Sequence, residues 1–562
     1  MSGLQEGIPL QLSQLLLRAA EHFPQQEVGF VRPDHSIQTT TYPGLLDRAL
    51  RLLAGLRQCG IAQGDRVILS LDASEEIIPA LWACFLGGIV PALLQPPVSF
   101  SEYNPAAEKA EKVFRLLGDP KVILSHLHYK SWLNSGIPEV SLIDLAMVPT
   151  DCTDVKIAET FPGDPALLQF SSGSTGDPKG VVLTQHNILH NIHDISRGLK
   201  LMPRDVSVSW MPLFHDMGLM GFHMTAAYIG CFQYFIEPAD FIKNPLLWLD
   251  ILSEKKATIT GCPNFGQVLI NRAVSRKRNP GWDFSALRAV FNGAEPISVA
   301  SMEEFNANLL PFGYRPVAML PAYGMAEATL AVTFSPLEEP ARVTSFRRKE
   351  LLSMGNVIET AGEGPEAIRL VNLGQPLPHC EIRIADEHGR TLPDDRTGHV
   401  LVKGENVTSG YFNNPEETSA TLRSGWLHTG DLGFIHNGDL YVMGRLKDII
   451  FINGINYYAH DLETIAYQVE GITYGRIVMA GYFDEEEGRD KVVVFLVVPA
   501  NDASRELFKA VQQHFLRTLG LQIELFIPIR SNDIPRTSSG KVQRYKMVNR
   551  FLQGEFPVVV KL

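Results

Sequence analysis

Hydrophobic positions in this chain fall in short unbroken runs separated by amphipathic stretches. That is the pattern of strands buried on both faces alternating with helices. Asp65–Leu71 reads as a strand, and Ser74 followed by Glu75 and Glu76 opens a helix with acid in its first turn. The helix closes at Gly87-Gly88, and Ile89–Leu94 forms the next strand. Such a βαβ unit pairs its strands in parallel through a right-handed crossover. The rhythm returns with strands at Val206–Trp210, Phe232–Ile236, Ala257–Thr260 and Leu287–Phe291, and helical runs at Met217–Tyr228, Leu246–Lys255 and Phe265–Val274. From about residue 375 short strands and turns take over (Glu381–Ala385, His399–Lys403, Leu440–Met443), which predicts a β-rich subdomain over about 375–446. The polar segment Gly444–Asp448 is a candidate hinge. Beyond it, strands at Ile449–Ile452, Ile477–Ala480 and Val492–Val498 and helices at Leu462–Val469 and Glu506–Leu519 predict a compact α+β piece. The expected fold class is α/β: a large N-terminal domain (1–446) of layered sheets and helices, then a small mobile α+β domain (447–562).

Composition narrows this picture. With 562 residues, 45% hydrophobic and 20% charged, the chain is of ordinary globular type and long enough for several cores. A formal charge of −12 and a pI near 5.8 argue against nucleic acid as a partner. The basic clusters Arg272–Arg278 and Arg347–Lys349 are short enough to be solvated faces. Six scattered cysteines without a CxxC pair suggest free thiols in a reducing compartment. No basic segment followed by an apolar block opens the chain. The most apolar stretch, Ile77–Leu94, is broken by Pro79, Gly87-Gly88 and Pro91 and does not read as a membrane span. A cytoplasmic protein is expected.

The chemistry concentrates in Ser171–Gly180, SSGSTGDPKG. Four hydroxyl side chains (Ser171, Ser172, Ser174, Thr175), three glycines including Gly173 and Gly176, and Lys179 sit within ten positions. Glycines admit backbone N–H groups close to an anion, hydroxyls add donors, and lysine adds charge, so the segment reads as a phosphate cradle. It is not of the Walker type, because Lys179 is followed by Gly180 and the β-type run Val181-Val182-Leu183. The loop is therefore expected to join two strands. Further candidate elements are Asn292–Pro296 after an apolar strand, Tyr323–Glu327, Trp426–Asp431, and the Gly/Ser/Thr-rich turn Pro535–Lys541. Each alone is equally an ordinary turn. His186, His190 and His193 fall at helical spacing, but HNILH lacks the glutamate of a HExxH zinc motif.

Together SSGSTGDPKG, Tyr323–Glu327, His428–Asp431, Gly444–Asp448 and the Lys541 turn resemble, in order and spacing, the adenylate-forming enzyme superfamily, over about residues 10 to 550. Trp210–Leu219, Tyr323–Leu330 and Asn453–Tyr458 most resemble its fatty acyl-AMP ligases. Pro336–Leu373, ahead of Gly374-Gln375-Pro376, resembles the insertion of that subgroup, which implies a restrained C-terminal domain and disfavours coenzyme A as acceptor. The resemblance implies ATP-dependent activation of a fatty acid to its adenylate, then transfer to a separate acyl carrier protein. It implies that Lys541 bridges the attacking carboxylate and the α-phosphate, that Glu327 holds Mg²⁺, and that Ser172, Ser174, Thr175 and Lys179 hold the β- and γ-phosphates. Asp431, assisted by Arg445, would bind ribose; Gly293, Ala294 and Tyr323, with Gly324 beside it, would enclose adenine. His215 would line the acyl entrance, and Lys447 would be the pivot. An acyl-CoA ligase and a non-catalytic nucleotide sensor are the alternatives.

Overall fold

The structure, a computed structural model, describes all residues except 1–6, 98, 101–103, 153, 173–176, 276–280, 363, 453–454, 485–488, 537–540 and 557–558; of residues 171, 172, 502 and 503 it describes the backbone alone. The fold is mixed α/β, with a large sheet-and-helix N-terminal domain and a small C-terminal domain.

A nine-stranded sheet organises the large domain. From one edge its order is Gln375–Pro376, Ala331–Phe334, Met319–Gly324, Ala289–Asn292, Ile259–Gly261, Val206–Ser209, Phe232–Ile236, Glu27–Val31 and Ile37–Thr41. The five pairings that join the six central strands, from Met319–Gly324 through to Glu27–Val31, are all parallel, and the outer strands run antiparallel. The carboxyl ends of Val206–Ser209, Ile259–Gly261, Ala289–Asn292 and Met319–Gly324 therefore open on one side of the sheet, where open α/β sheets bind ligands. A second, four-stranded parallel sheet contains Arg66–Ser70 between Val90–Leu93 and Lys121–Leu124. The helix Ser74–Gly87 links the first two and ends on Gly88 at φ 62°, the left-handed cap that glycine favours. Pro79 lies within this helix without ending it, because surrounding burial outweighs the lost backbone hydrogen bond.

The run Met217–Tyr228 is helical, as expected, but of two kinds. Met217–Met224 is a π-helix, and only Thr225–Ile229 continues as α-helix. A buried polar chain fastens this element. Trp82 Nε1 donates to His223 Nε2 (2.9 Å), His223 Nδ1 lies 2.8 Å from Gln233 Oε1, and Gln233 Nε2 donates to the Tyr42 hydroxyl (2.7 Å). Burial pushes the His223 pKa down to about 4. Since Nε2 accepts, the single ring proton belongs on Nδ1.

SSGSTGDPKG joins two strands, as its sequence suggests: Pro165–Ser172 pairs antiparallel with Pro178–Thr184. Cys380–Ala385, Gly398–Gly404, Leu422–Arg423, Trp426–His436 and Asp439–Arg445 form an antiparallel sheet. Past the short turn Leu446–Asp448, Ile477–Asp484, Arg489–Val497, Leu525–Ile529 and Val560–Lys561 make the sheet of the small domain. Within the large domain, ahead of Gln375–Pro376, the segment Pro336–Leu373 carries its own antiparallel pair, Val343–Arg347 with Ala367–Val371, and a helix, Arg348–Met354. Its Phe346, Leu351 and Ile368 share one apolar cluster with Ile450, Leu462 and Ile465 of the small domain. The buried Arg348 guanidinium pairs with Asp461 and donates to the Pro365 (2.7 Å) and Ala367 (3.1 Å) carbonyls. No described helix is long and apolar enough to cross a membrane.

Candidate active site

A cavity of about 1240 Å³ opens at the carboxyl ends of the parallel strands and runs beneath the small domain. Most of the residues singled out from the sequence meet here: His215, Gly293, Ala294, Tyr323, Gly324, Glu327, Lys179, Asp431, Arg445, Lys447 and Lys541 all line it. Gly173, Ser174, Thr175 and Gly176 lie outside the described residues, and Ser171 and Ser172 are seen only as backbone paired with Lys179 and Pro178.

Tyr323 and Asp431 come from different sheets. The Tyr323 hydroxyl donates to Asp431 Oδ2 at 2.6 Å, and Arg445 Nε stands 3.3 Å from Oδ1. Asp431 and Arg445 are direct cross-strand partners, so the β-sheet register sets this ion pair. Burial, then the Asp431 charge and hydrogen bond, push the Tyr323 phenol well up. Gly324 must be glycine, since a Cβ there would meet the Leu330 carbonyl oxygen at 1.8 Å.

Glu327 sits on a turn clamped from the 405–412 segment. Thr408 N donates to the Glu327 carbonyl (2.8 Å), Asn406 Nδ2 to that of Ala328 (3.2 Å), and the Tyr411 hydroxyl to Glu327 Oε1 (2.9 Å). The same segment grips the hairpin, with Phe412 N on the Gly180 carbonyl (2.7 Å) and Val182 N on that of Gly410 (3.0 Å). Lys179 pairs with Glu417 and lies 5.7 Å from the Tyr411 ring centre. Tyr411 and Glu417 were not found by sequence reading, because neither belongs to a local motif and each meets its partner only through the tertiary fold. Two non-glycine residues hold left-handed backbone here, Ala294 (φ 78°) and the buried Thr329 (φ 65°), a conformation that costs energy and clusters at functional sites.

On the other wall, His215 Nδ1 is 2.7 Å from Asp216 Oδ1, which also accepts from Met217 N (2.7 Å). Burial opposes ionisation of Asp216, but the His215 charge and hydrogen bond, with Lys541 beyond, hold its carboxyl below the usual range. Lys541 enters this space from the small domain. Its pKa is lowered by burial and by Arg445, against which Asp216, Asp431 and Glu295 support its charge. Apolar walls continue from Met217, Gly221, Phe222, Phe291 and Leu330. Among the described residues no three or more His, Cys, Asp or Glu side chains form a metal cage. His190 Nδ1 meets the His186 carbonyl (2.9 Å), and His193 Nδ1 the Tyr228 hydroxyl (2.9 Å).

Comparison with known proteins identifies the family. The profile of the AMP-binding enzyme family matches residues 16–412. A putative acyl-CoA synthetase of Caulobacter vibrioides is 31% identical over 92% of this chain and 91% of its own. The medium-chain-fatty-acid–[acyl-carrier-protein] ligase JamA of Moorena producens is 29% identical over 91% of this chain and 89% of its own. Among solved structures, one from a study of fatty acyl-adenylate ligases of E. coli and L. pneumophila superposes with a TM-score of 0.88 at 29% identity, covering 97% of this chain and 98% of that one. The chain belongs to the AMP-binding enzyme family.

Proposed function

We propose that the protein is a ligase that activates a fatty acid with ATP, releasing pyrophosphate and leaving a fatty acyl-adenylate, and then passes the acyl group to the phosphopantetheine thiol of a separate acyl carrier protein. The reading rests on one observation above all. Lys541, carried by the small domain, stands in the same cavity as Glu327, the Tyr323–Asp431–Arg445 cluster and an apolar wall.

In the first step a carboxylate oxygen attacks the α-phosphorus. The bond to the bridging oxygen breaks, and pyrophosphate departs with the electron pair. Both reactants are anions, and at ~4 Å like charges repel by about 4 kcal/mol even at an effective dielectric near 20. Lys541 answers that repulsion where the charges crowd, in a site whose burial strengthens each interaction. Asp431 with Arg445 suits the ribose hydroxyls, and Gly293, Ala294 and Tyr323 suit the two faces of adenine. Lys179 belongs with the phosphates and would exchange Glu417 for them; Ser172, Ser174 and Thr175 would add donors. His215 would stand beside the reacting carboxylate. The half-buried Glu327 carboxylate offers the oxygen-only donor that Mg²⁺ prefers, and with no three-ligand cage among the described residues the ion would share Glu327 with substrate phosphates. Bound there, Mg²⁺ would neutralise phosphate charge.

The second step needs Lys541 withdrawn, through rotation of the domain beyond residue 446 about Lys447. The apolar cluster and the Arg348–Asp461 pair tie the 336–373 insertion to that domain, which favours the carrier-protein acceptor. A coenzyme A acceptor is the rival, favoured by the name of the C. vibrioides relative. A mixed pool of fatty acids with ATP tests both. Mass spectrometry should find acyl-adenylate, and added holo carrier protein should be acylated in preference to coenzyme A. Predominant acyl-CoA assigns the rival, and absence of any adenylate or pyrophosphate overturns the activity in favour of a nucleotide sensor.

A further inference from the structure

Gln169 interrupts an apolar face of the strand Pro165–Ser172. Side chains alternate along a strand, so Gln169 shares its face with Leu167 and with the cross-strand partners of the two, Val181 and Leu183. Those three are buried in one apolar cluster with Leu213, which lies on the segment that carries His215. Gln169 is itself only 5% exposed. An amide buried among aliphatic side chains costs energy unless a hydrogen bond uses it. Here the bond goes to the same segment: Gln169 Nε2 donates to the Phe214 carbonyl at 2.8 Å. That carbonyl shares one planar peptide unit with the nitrogen of His215, so the bond fixes the backbone plane on which the imidazole is mounted. His215 N closes the turn on the Pro212 carbonyl (3.1 Å), and Asp216 Oδ1 sets the ring, 2.7 Å from Nδ1. Gly218 lets the turn close, since a Cβ there would meet the Pro212 carbonyl oxygen at 2.3 Å. Gln169, Phe214 and His215 all line the cavity. Directly after Phe170 the strand enters SSGSTGDPKG, so one side chain joins the stem of that loop to the mount of His215.

We propose that Gln169 is a positioning residue: by holding the Phe214 carbonyl it fixes His215 relative to the strand that leads into SSGSTGDPKG, and so sets the approach of the fatty-acid carboxylate to the α-phosphate. The proposal rests on the adenylation reading above and deepens it. Gln169 acts through His215. Rate is steep in such placement, since a shift of about 1 Å between reacting groups can cost on the order of 10²-fold.

The test is a double-mutant cycle in the full chain with Gln169→Met, which keeps the length of the side chain and removes the donor, His215→Ala, and the two together. Fatty-acid-dependent ATP–pyrophosphate exchange is measured beside ATP binding, and single-turnover adenylate formation reads the slower variants. The expected result is about a tenfold lower kcat for Gln169→Met, with KM for ATP within about twofold of the wild type and no further loss when it is added to His215→Ala. A merely structural role would lower the rate by the same factor in either background, and that additive result overturns the proposal. Exchange at the wild-type rate by either single variant overturns it too, as does loss of ATP binding in Gln169→Met, which would assign the residue to the fold. Absence of exchange in the wild type itself would instead remove the adenylation reading.

Discussion

Glu327 is held by a residue more than eighty positions away, and that contact decides how its carboxylate is presented. The Tyr411 hydroxyl donates to Oε1 at 2.9 Å, and Glu327 lines the cavity. Tyr411→Phe removes a hydrogen bond to a charged group, worth about 1.5–3 kcal/mol, without altering shape. The variant should need several-fold more Mg²⁺ for half-maximal adenylation while its thermal midpoint falls by only about 2 °C; an unchanged Mg²⁺ titration would separate Tyr411 from the site. His223 makes a second prediction at this scale. Its pKa is about 4 when folded, against an ordinary value near 6.5, so below pH ~6.5 the unfolded chain takes up a proton that the native state refuses. Stability is lost as pH falls from ~6.5 towards ~4, by about 2 kcal/mol already at pH 5. The thermal-midpoint gap between wild type and His223→Met should therefore narrow between pH 7.5 and pH 5, and a constant gap would contradict the assignment. The residues legible in the sequence were those with local signatures, such as Lys541 in its turn or Asp431 after a glycine. Tyr411 and Glu417 had none, since their contacts exist only once distant segments meet.

Among the elements, the alternation of strand and helix was readable wherever both faces of a strand are covered, as in Arg66–Ser70 and Phe232–Ile236. The two-residue strand Gln375–Pro376 and the exposed, polar edge Ile37–Thr41 gave no apolar pattern to follow. Met217–Met224 is buried over almost its whole length, so its sequence carries no periodicity that could separate a π-helix from an α-helix. That element bears on chain length. Gly221 faces the cavity from it, and a Cβ there would come within 3.1 Å of Leu330 Cδ2. Gly221→Phe should fill the apolar end of the pocket, shifting the accepted fatty acids to shorter chains while sparing short-chain adenylation. Competition between acids of different length reads this directly, and an unaltered length profile would place the acyl chain elsewhere.

For the whole molecule, the proposed mechanism makes adenylation depend on a residue that the large domain does not own. Lys541 lines the cavity from the small domain, and on that reading the same domain would have to leave for the acyl group to be passed on. The insertion binds that domain through apolar packing and the buried Arg348–Asp461 pair. Motif order pointed to a large and a small domain and singled out the lysine, but the contacts of the insertion depend on how it folds. The most direct test of the central claim is fatty-acid-dependent ATP–pyrophosphate exchange by Lys541→Ala, measured with ATP binding in the same preparation. Exchange should fall on the order of 10²-fold or more while ATP still binds. Exchange at the wild-type rate would show that the swinging lysine is not what brings the two anions together.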